Sequence, residues 1–432
     1  QASLLLSRAG GTLAGYPVEL AADALLAGEL VTLHAFSAAS GENKLSGSGT
    51  VQGDDLSLQW ELLSPQIGSL LADASGSVTA SGTVAGTTAK PRLAMSAAGR
   101  NLAMAEVQIA TLDATVQAGL DAADPLSIKL DLAGPAGDSS AVLELLQLEA
   151  KGTTAKHSIT LYTVAAGISA DTRLVGGLDS ELTWAGVLEG LGVNPGDPIG
   201  RWESASPAAL SLSAESVELE KFCLRAAAGG EGRVCTEALW QSTTGVQLSG
   251  SVADLQLVRI LPDVTGQLDG DFALAMTGAG DADGRASFDI SSGALRFDTG
   301  QGVQRLQHGG GSLTATICAS GLEARLVARP LAEGEILADV ALPQLSRLPP
   351  EGPQPLAGRL SANLPDLSGL QAWVPDLDRV RGRVAGELAL AGELARPRIT
   401  GDIGLRDGSA DVPAAGLSLR QVELGLSCLL YT

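Results

Sequence analysis

The chain has 432 residues, enough for roughly two or three ordinary domains, and is 45% hydrophobic and 18% charged, which excludes a disordered acidic tail. Its formal net charge is −21 and it has no Lys/Arg cluster, which excludes a nucleic-acid binder and argues against docking on an anionic membrane leaflet; the charge reads as a source of solubility. Aromatic residues are only 3%, so the apolar content is nearly all Leu, Val, Ala and Ile, unlike a compact β-sandwich core.

The sequence begins at Gln1 already inside a strand-like pattern, without an initiator Met or a signal peptide. It holds no apolar run of about 18 residues or more, so no transmembrane helix is expected within it. It therefore reads as an internal piece of a longer protein. Period-two alternation, the mark of a strand with two unlike faces, dominates throughout, and helix signals are weak.

In chain order, a first loose repeat runs from Gly49-Thr-Val51 through Ser64-Pro-Gln-Ile67 to Gly76-Ser-Val78, Val84 and Gly86. Asn194 to Gly200 reads as a loop. Cys223 and Cys235 flank a segment containing Gly229, Gly230 and Gly232, a spacing that would let two adjacent strands bring the sulfurs together. In an oxidising compartment that pair is a disulfide candidate; the alternative is two unrelated buried thiols. A second repeat copy follows: Gly250-Ser-Val252, Asp254-Leu255, Leu261-Pro-Asp-Val264 and Gly266-Gln-Leu-Asp-Gly270. Asp298-Thr299-Gly300 is a turn signal. Gly309-Gly-Gly-Ser312 lacks a Lys at nucleotide-loop spacing and reads as a flexible turn. Cys318 closes an alternating run and reads as a free, packed residue.

Arg347 to Pro355 carries Pro349, Pro350, Pro353 and Pro355, which exclude regular sheet. The third copy returns the same order, with Gly358-Arg-Leu360, Asp366-Leu367, Val374-Pro-Asp-Leu377 and Arg381-Gly-Arg-Val-Ala-Gly386. Ser368 to Trp373 fits a short helical turn. The cleanest alternation then follows, with Leu388, Leu390, Leu394, Ile399, Ile403, Leu405, Leu417 and Leu419 assigned to one aliphatic face. Asp407-Gly408 reads as a turn, and a phase slip at Arg420-Gln421 as a bulge or turn. Cys428-Leu-Leu-Tyr-Thr432 breaks the rhythm and resembles a translated sequencing adapter, so 428–432 reads as a non-native tail. Residues 1–210 and 246–427 read as repetitive β segments, and 211–245 as a Cys-containing strand–loop–strand insert.

No catalytic site is expected. His34, His157 and His308 are far apart and have no second His or Cys at ligand spacing, so each reads as a strand histidine on a solvated face. There is no G-x-S-x-G elbow, and the carboxylates are scattered without a His or metal partner. No metal and no cofactor are expected, and the chain reads as a non-enzyme.

Taken together, the ordered motifs resemble the TamB family of the AsmA-like superfamily. They are Ser40-Gly-Glu-Asn-Lys-Leu45, Gly47, Trp60, Ser64-Pro-Gln-Ile67, Gly82-Thr-Val-Ala-Gly-Thr87, Gly152-Thr-Thr-Ala-Lys-His157, Trp184, Trp202, the two cysteines and the two Pro-Asp units. The resemblance covers nearly the whole chain and reads as an internal or C-terminal-half fragment, with 246–427 leading into the family's C-terminal region. It implies an all-β fold: an elongated repetitive sheet curled into a U-shaped, apolar-lined trough. It further implies a periplasmic protein anchored in the inner membrane by an N-terminal helix absent from this segment. The implied partners are a TamA-like outer-membrane barrel of the Omp85 type, met through regions missing here, and phospholipid acyl chains. The implied roles are phospholipid transport between the membranes and the assembly of outer-membrane proteins and autotransporters. On alternation alone a closed solenoid core is the plainer reading of the aliphatic face, and the resemblance turns it toward an open trough. The competing functions are an assembly scaffold acting by β-augmentation and a secreted β-solenoid adhesin.

Overall fold

The computed structural model describes residues 2–13, 16–71, 73–104, 107–135, 142–227, 231–298, 302–350, 352–372 and 376–428. Among these residues the fold is all β. There are twenty-nine strands, four short 3-10 turns and no α-helix. The chain divides into two compact units, Gln1–Gly196 with Ser206–Ala214, and Asp197–Ala205 with Glu215–Thr432.

In the first unit each strand pairs antiparallel with its sequence neighbour, from Ala2–Leu13 to Trp184–Asn194, and the last pairs with Ala208–Leu212. Side chains alternate between two faces, as pleating requires. Register brings one apolar residue from every strand into a single ladder. It runs Leu6, Ala22, Phe36, Gly47, Trp60, Gly82, Met95, Val116, Ile128, Ala150, Ile159, Leu174, Leu188 and Ala208. The opposite face carries Gln59, Glu61, Ser81, Ser96, Thr115 and Lys129. Alanine, whose side chain never varies in reach, exposes the difference between the faces. Ala85, Ala94 and Ala98 on the polar face are exposed, Ala97 and Ala114 on the apolar face are half-buried, and Ala80 is 8% exposed. The sheet of this unit thus curls toward its apolar side.

Glycines in the ladder make room for the few aromatic rings. A Cβ on Gly82 would stand 2.9 Å from Cζ2 of Trp60, and one on Gly270 2.4 Å from Cδ1 of Phe288. Each ring lies across a neighbouring strand that has no side chain at that point.

The second unit repeats the principle. Strands Ser216–Ala226, Arg233–Gln241, Gly245–Gln256, Gln267–Met276, Ala282–Ile290, Gly310–Cys318, Gly321–Arg329, Glu335–Leu342, Ala357–Leu364, Asp378–Glu393, Arg396–Val412 and Leu417–Cys428 pair in that order. Between Ala282–Ile290 and Gly310–Cys318 the chain leaves the sheet as a separate hairpin, Gly293–Asp298 with Val303–His308. The three repeated segments each form a 3-10 turn between paired strands, at Ile67–Ser69, Leu257–Arg259 and Ser368–Ala372. Trp373 lies outside the described residues.

Three sequence expectations are corrected. Gly309-Gly-Gly-Ser312 is not a flexible turn, because Gly310, Gly311 and Ser312 open the strand Gly310–Cys318 and pair with Arg329, Ala328 and Val327. Asp407-Gly408 does not end a strand. It lies inside Arg396–Val412, where Asp407 has φ 52° and the register shifts at Gly408, so it makes an irregularity within one strand. His157 is not on a solvated face but 4% exposed. The Arg420-Gln421 slip lies at a register shift, with Gln421 at φ 51°.

Candidate functional site

The feature best suited to function is the apolar face. In the second unit the ladder reads Leu224, Val234, Val252, Gly270, Phe288, Leu313, Leu326, Ala338, Leu360, Leu388 and Gly401. No member carries a charge, hydroxyl or amide. None is fully buried, and Leu313 and Leu326 are 38% and 44% exposed. Had a second layer covered this face, those side chains would be inside a close-packed core. Instead the ladder is half-exposed, and it is covered only in places: Leu224, Val234 and Val252 pack against Trp202 and Leu255, and Leu364, Val384 and Leu405 against Leu306, Leu331 and Leu367.

Charges are kept to the other side or the ends of the strands. Arg173 reaches Glu189 at 2.7 Å and Arg359 reaches Glu387 at 2.6 Å, both exposed cross-strand pairs of little energetic weight. The backbone N–H and hydroxyl of Ser368 donate to Asp366 and hold its carboxyl below the usual carboxylate range. The Ser418 hydroxyl does the same for Asp411, helped by the charges of Arg379 and Arg420.

Leu388, Leu390, Ile399, Ile403 and Leu405 are half-buried, and Leu388 and Leu390 pair with Gly401 and Ile399 in adjacent strands. Leu394 sits in the turn after Asp378–Glu393 and is 55% exposed. Leu417 and Leu419 pair with Val412 and Ala410, beyond two register shifts, and are 50% and 38% exposed. Cys223 and Cys235 face each other in adjacent strands and form a disulfide. The side chain of Cys428 and residues 429–432 lie outside the described part. Among the described residues no group of His, Cys, Asp and Glu could hold a metal ion. No helix there is long and apolar enough to cross a membrane.

Sequence reasoning missed a roof. A cavity of about 670 Å³ lies between floor residues Leu268, Phe288, Ile290, Leu313, Leu326 and Ala328 and the overlying Leu257, Leu261, Val264 and Leu295. The overlying residues come from the Leu257–Arg259 turn, the loop after it and the separate hairpin. The hairpin also packs toward the Ser368–Ala372 turn. There Leu306, Leu331 and Leu367 are buried together against Leu364, Val384 and Leu405. Alternating Leu295 and Phe297 before a turn signal could have revealed a hairpin, but nothing local shows that it leaves the sheet.

The residues that carry the resemblance also prove to hold one another. Asn43 donates to the Ser40 carbonyl at 3.1 Å and to the Ser69 hydroxyl. Its own carbonyl accepts from the Ser64 hydroxyl at 2.8 Å and the Gln66 N–H at 3.4 Å. The Ser40–Leu45 and Ser64–Ile67 motifs are two halves of one buried polar clasp, with Asn43 and Ser64 3% and 1% exposed.

Residues 1–405 match the family described as TamB, N-terminal domain. The chain belongs to the TamB family. The sequence reads as an internal or C-terminal-half fragment of the family, and the description matched is that of the TamB N-terminal domain. No curated protein and no solved structure matches the chain. TamB is a family of the cell envelope, and its members are components of envelope assembly and transport.

Proposed function

We propose that the chain is a non-enzymatic, periplasmic segment of a TamB protein whose apolar face carries phospholipid acyl chains between the inner and outer membranes. The full protein would be anchored in the inner membrane and work with a TamA-like Omp85 barrel. It would thereby also support assembly of outer-membrane proteins and autotransporters. The observation that carries this reading is the half-exposed ladder, unbroken by a polar side chain across the eleven strands that its residues mark in the second unit. A tail laid on such a face gains roughly 25 cal/mol per Å² of apolar surface removed from water. Because the ladder is uniform, the tail can shift along it without breaking a hydrogen bond.

The test is a charge on the face. The Leu390→Asp/Ile403→Asp double variant should fold, lose most of the phospholipid that co-purifies with the wild type, and fail to support lipid transfer. If mass spectrometry finds no phospholipid on the wild type, and the charged variant complements fully, the conduit reading is wrong.

A further inference from the structure

The strands Gly293–Asp298 and Val303–His308 form a hairpin inserted between two strands that pair without it. The strands on either side of it, Ala282–Ile290 and Gly310–Cys318, pair directly with each other up to Ile290 and Gly311. The hairpin hangs from that pair on Ser291-Ser292 and Gly309-Gly310. One flank is tied to the loop after the Leu257–Arg259 turn. Thr265 N–H donates to the Ala294 carbonyl at 2.8 Å, Ala294 N–H to the Thr265 hydroxyl at 2.8 Å, and Arg296 N–H to the Asp263 carbonyl at 2.7 Å. The other flank is held by the apolar cluster of Leu306, Leu331 and Leu367.

Beneath it lies the cavity of about 670 Å³, inside the range of roughly 300–1,000 Å³ typical of small-molecule pockets. Its polar lining residues are His308, Ser312 and Arg329. Strand alternation turns Ser312 and Arg329 to the opposite face, since Gly311, Leu313 and Ala328 are on the apolar one. His308 is engaged at both nitrogens, Nε2 with the Thr265 carbonyl at 2.9 Å and Nδ1 with the Gly310 N–H at 3.1 Å. A polypeptide strand in this space would bury N–H and C=O groups without partners, at a cost of a few kcal/mol each. A hydrocarbon chain would bury none.

We propose that the 293–308 hairpin is a roof that makes this stretch of the apolar face a discrete station for a single hydrocarbon chain and closes it to polypeptide. The proposal rests on the acyl-carrying reading above and adds to it a place and a selectivity. Where no segment packs over the ladder, the face would accept either occupant.

The test uses palmitate bearing a terminal diazirine, photo-crosslinked to the intact chain, with labelled peptides mapped by mass spectrometry. Labelling should concentrate on Leu257, Leu261, Leu295, Ile290, Leu313 and Leu326. Excising residues 293–308, which leaves Ser291-Ser292-Gly309-Gly310 as the turn, should reduce labelling at Leu313 and Leu326 about tenfold, as loss of one enclosing wall of apolar contact implies. Ala328→Trp, which fills the floor, should reduce it similarly while labelling of the first unit persists. A blocked Val-Thr alternating peptide should not compete at these residues in the wild type. Even labelling along both ladders, no change on excision, or competition by the peptide would each overturn the station while leaving the conduit standing. No labelling anywhere would overturn both.

Discussion

His157 shows how a single side chain can look idle in sequence and be fixed in structure. With no ligand partner nearby in the chain, it read as a solvated strand residue. In the fold the Trp184 Nε1–H donates to its Nε2 at 2.9 Å, and its Nδ1 meets the Thr153 carbonyl at 2.9 Å. Both rings are buried, at 4% and 7% exposure. The two residues are twenty-seven apart, so only the register of the intervening strands brings them together. The same holds for Trp60 and its glycines: the spacing of Gly47 and Gly82 is visible in sequence, but what fills the space above them is not. His157→Phe should leave the Trp184 N–H buried without an acceptor and cost about 1–3 kcal/mol, whereas His157→Gln, which retains an acceptor, should cost less. Urea unfolding followed by tryptophan fluorescence measures both, and equal midpoints for the two variants would show that the hydrogen bond contributes nothing.

At the scale of elements, alternation made the strands legible because each has one wet and one apolar face. The recurrent segments were legible as repeats, and each holds a 3-10 turn between paired strands, at Ile67–Ser69, Leu257–Arg259 and Ser368–Ala372. Topology was harder. The strands of the 293–308 hairpin alternate like their neighbours, and periodicity does not say which strand a given strand pairs with. Asp407-Gly408 misled for a related reason, since a dipeptide that favours positive φ serves a bulge as well as a turn. The Cys223–Cys235 disulfide joins Ser216–Ala226 to Arg233–Gln241 across a short loop. Closing a loop of twelve residues removes unfolded-state freedom worth about 2–3 kcal/mol. Reduction should therefore lower hydrogen-exchange protection in these two strands and leave the first unit unaffected. The Cys223→Ser/Cys235→Ser variant should no longer respond to reductant. Unchanged protection on reduction would mean that the pairing of the strands does not depend on the bond.

At the scale of the whole molecule, the low aromatic content has a physical meaning that composition alone did not give. A closed core gains from large rings that fill its volume. A face left open to a mobile occupant gains more from short aliphatic side chains that present an even surface. The cost is apolar area left in water: Leu4 is 67% exposed, Leu20 38% and Leu424 63%. An occupant that covers such area binds the folded state and not the unfolded chain, so it must stabilise the fold, by about 2.7 kcal/mol at a concentration a hundredfold above its dissociation constant. Lysophosphatidylcholine, kept below its micelle concentration, should raise the melting temperature progressively. Glycerophosphocholine, which has the same head and no tail, should not. In the Leu390→Asp/Ile403→Asp variant the gain should shrink for the second unit and persist for the first, as hydrogen exchange resolved by strand would show. An equal rise with the tailless molecule would assign the effect to the headgroup and remove the aliphatic ladder from the explanation.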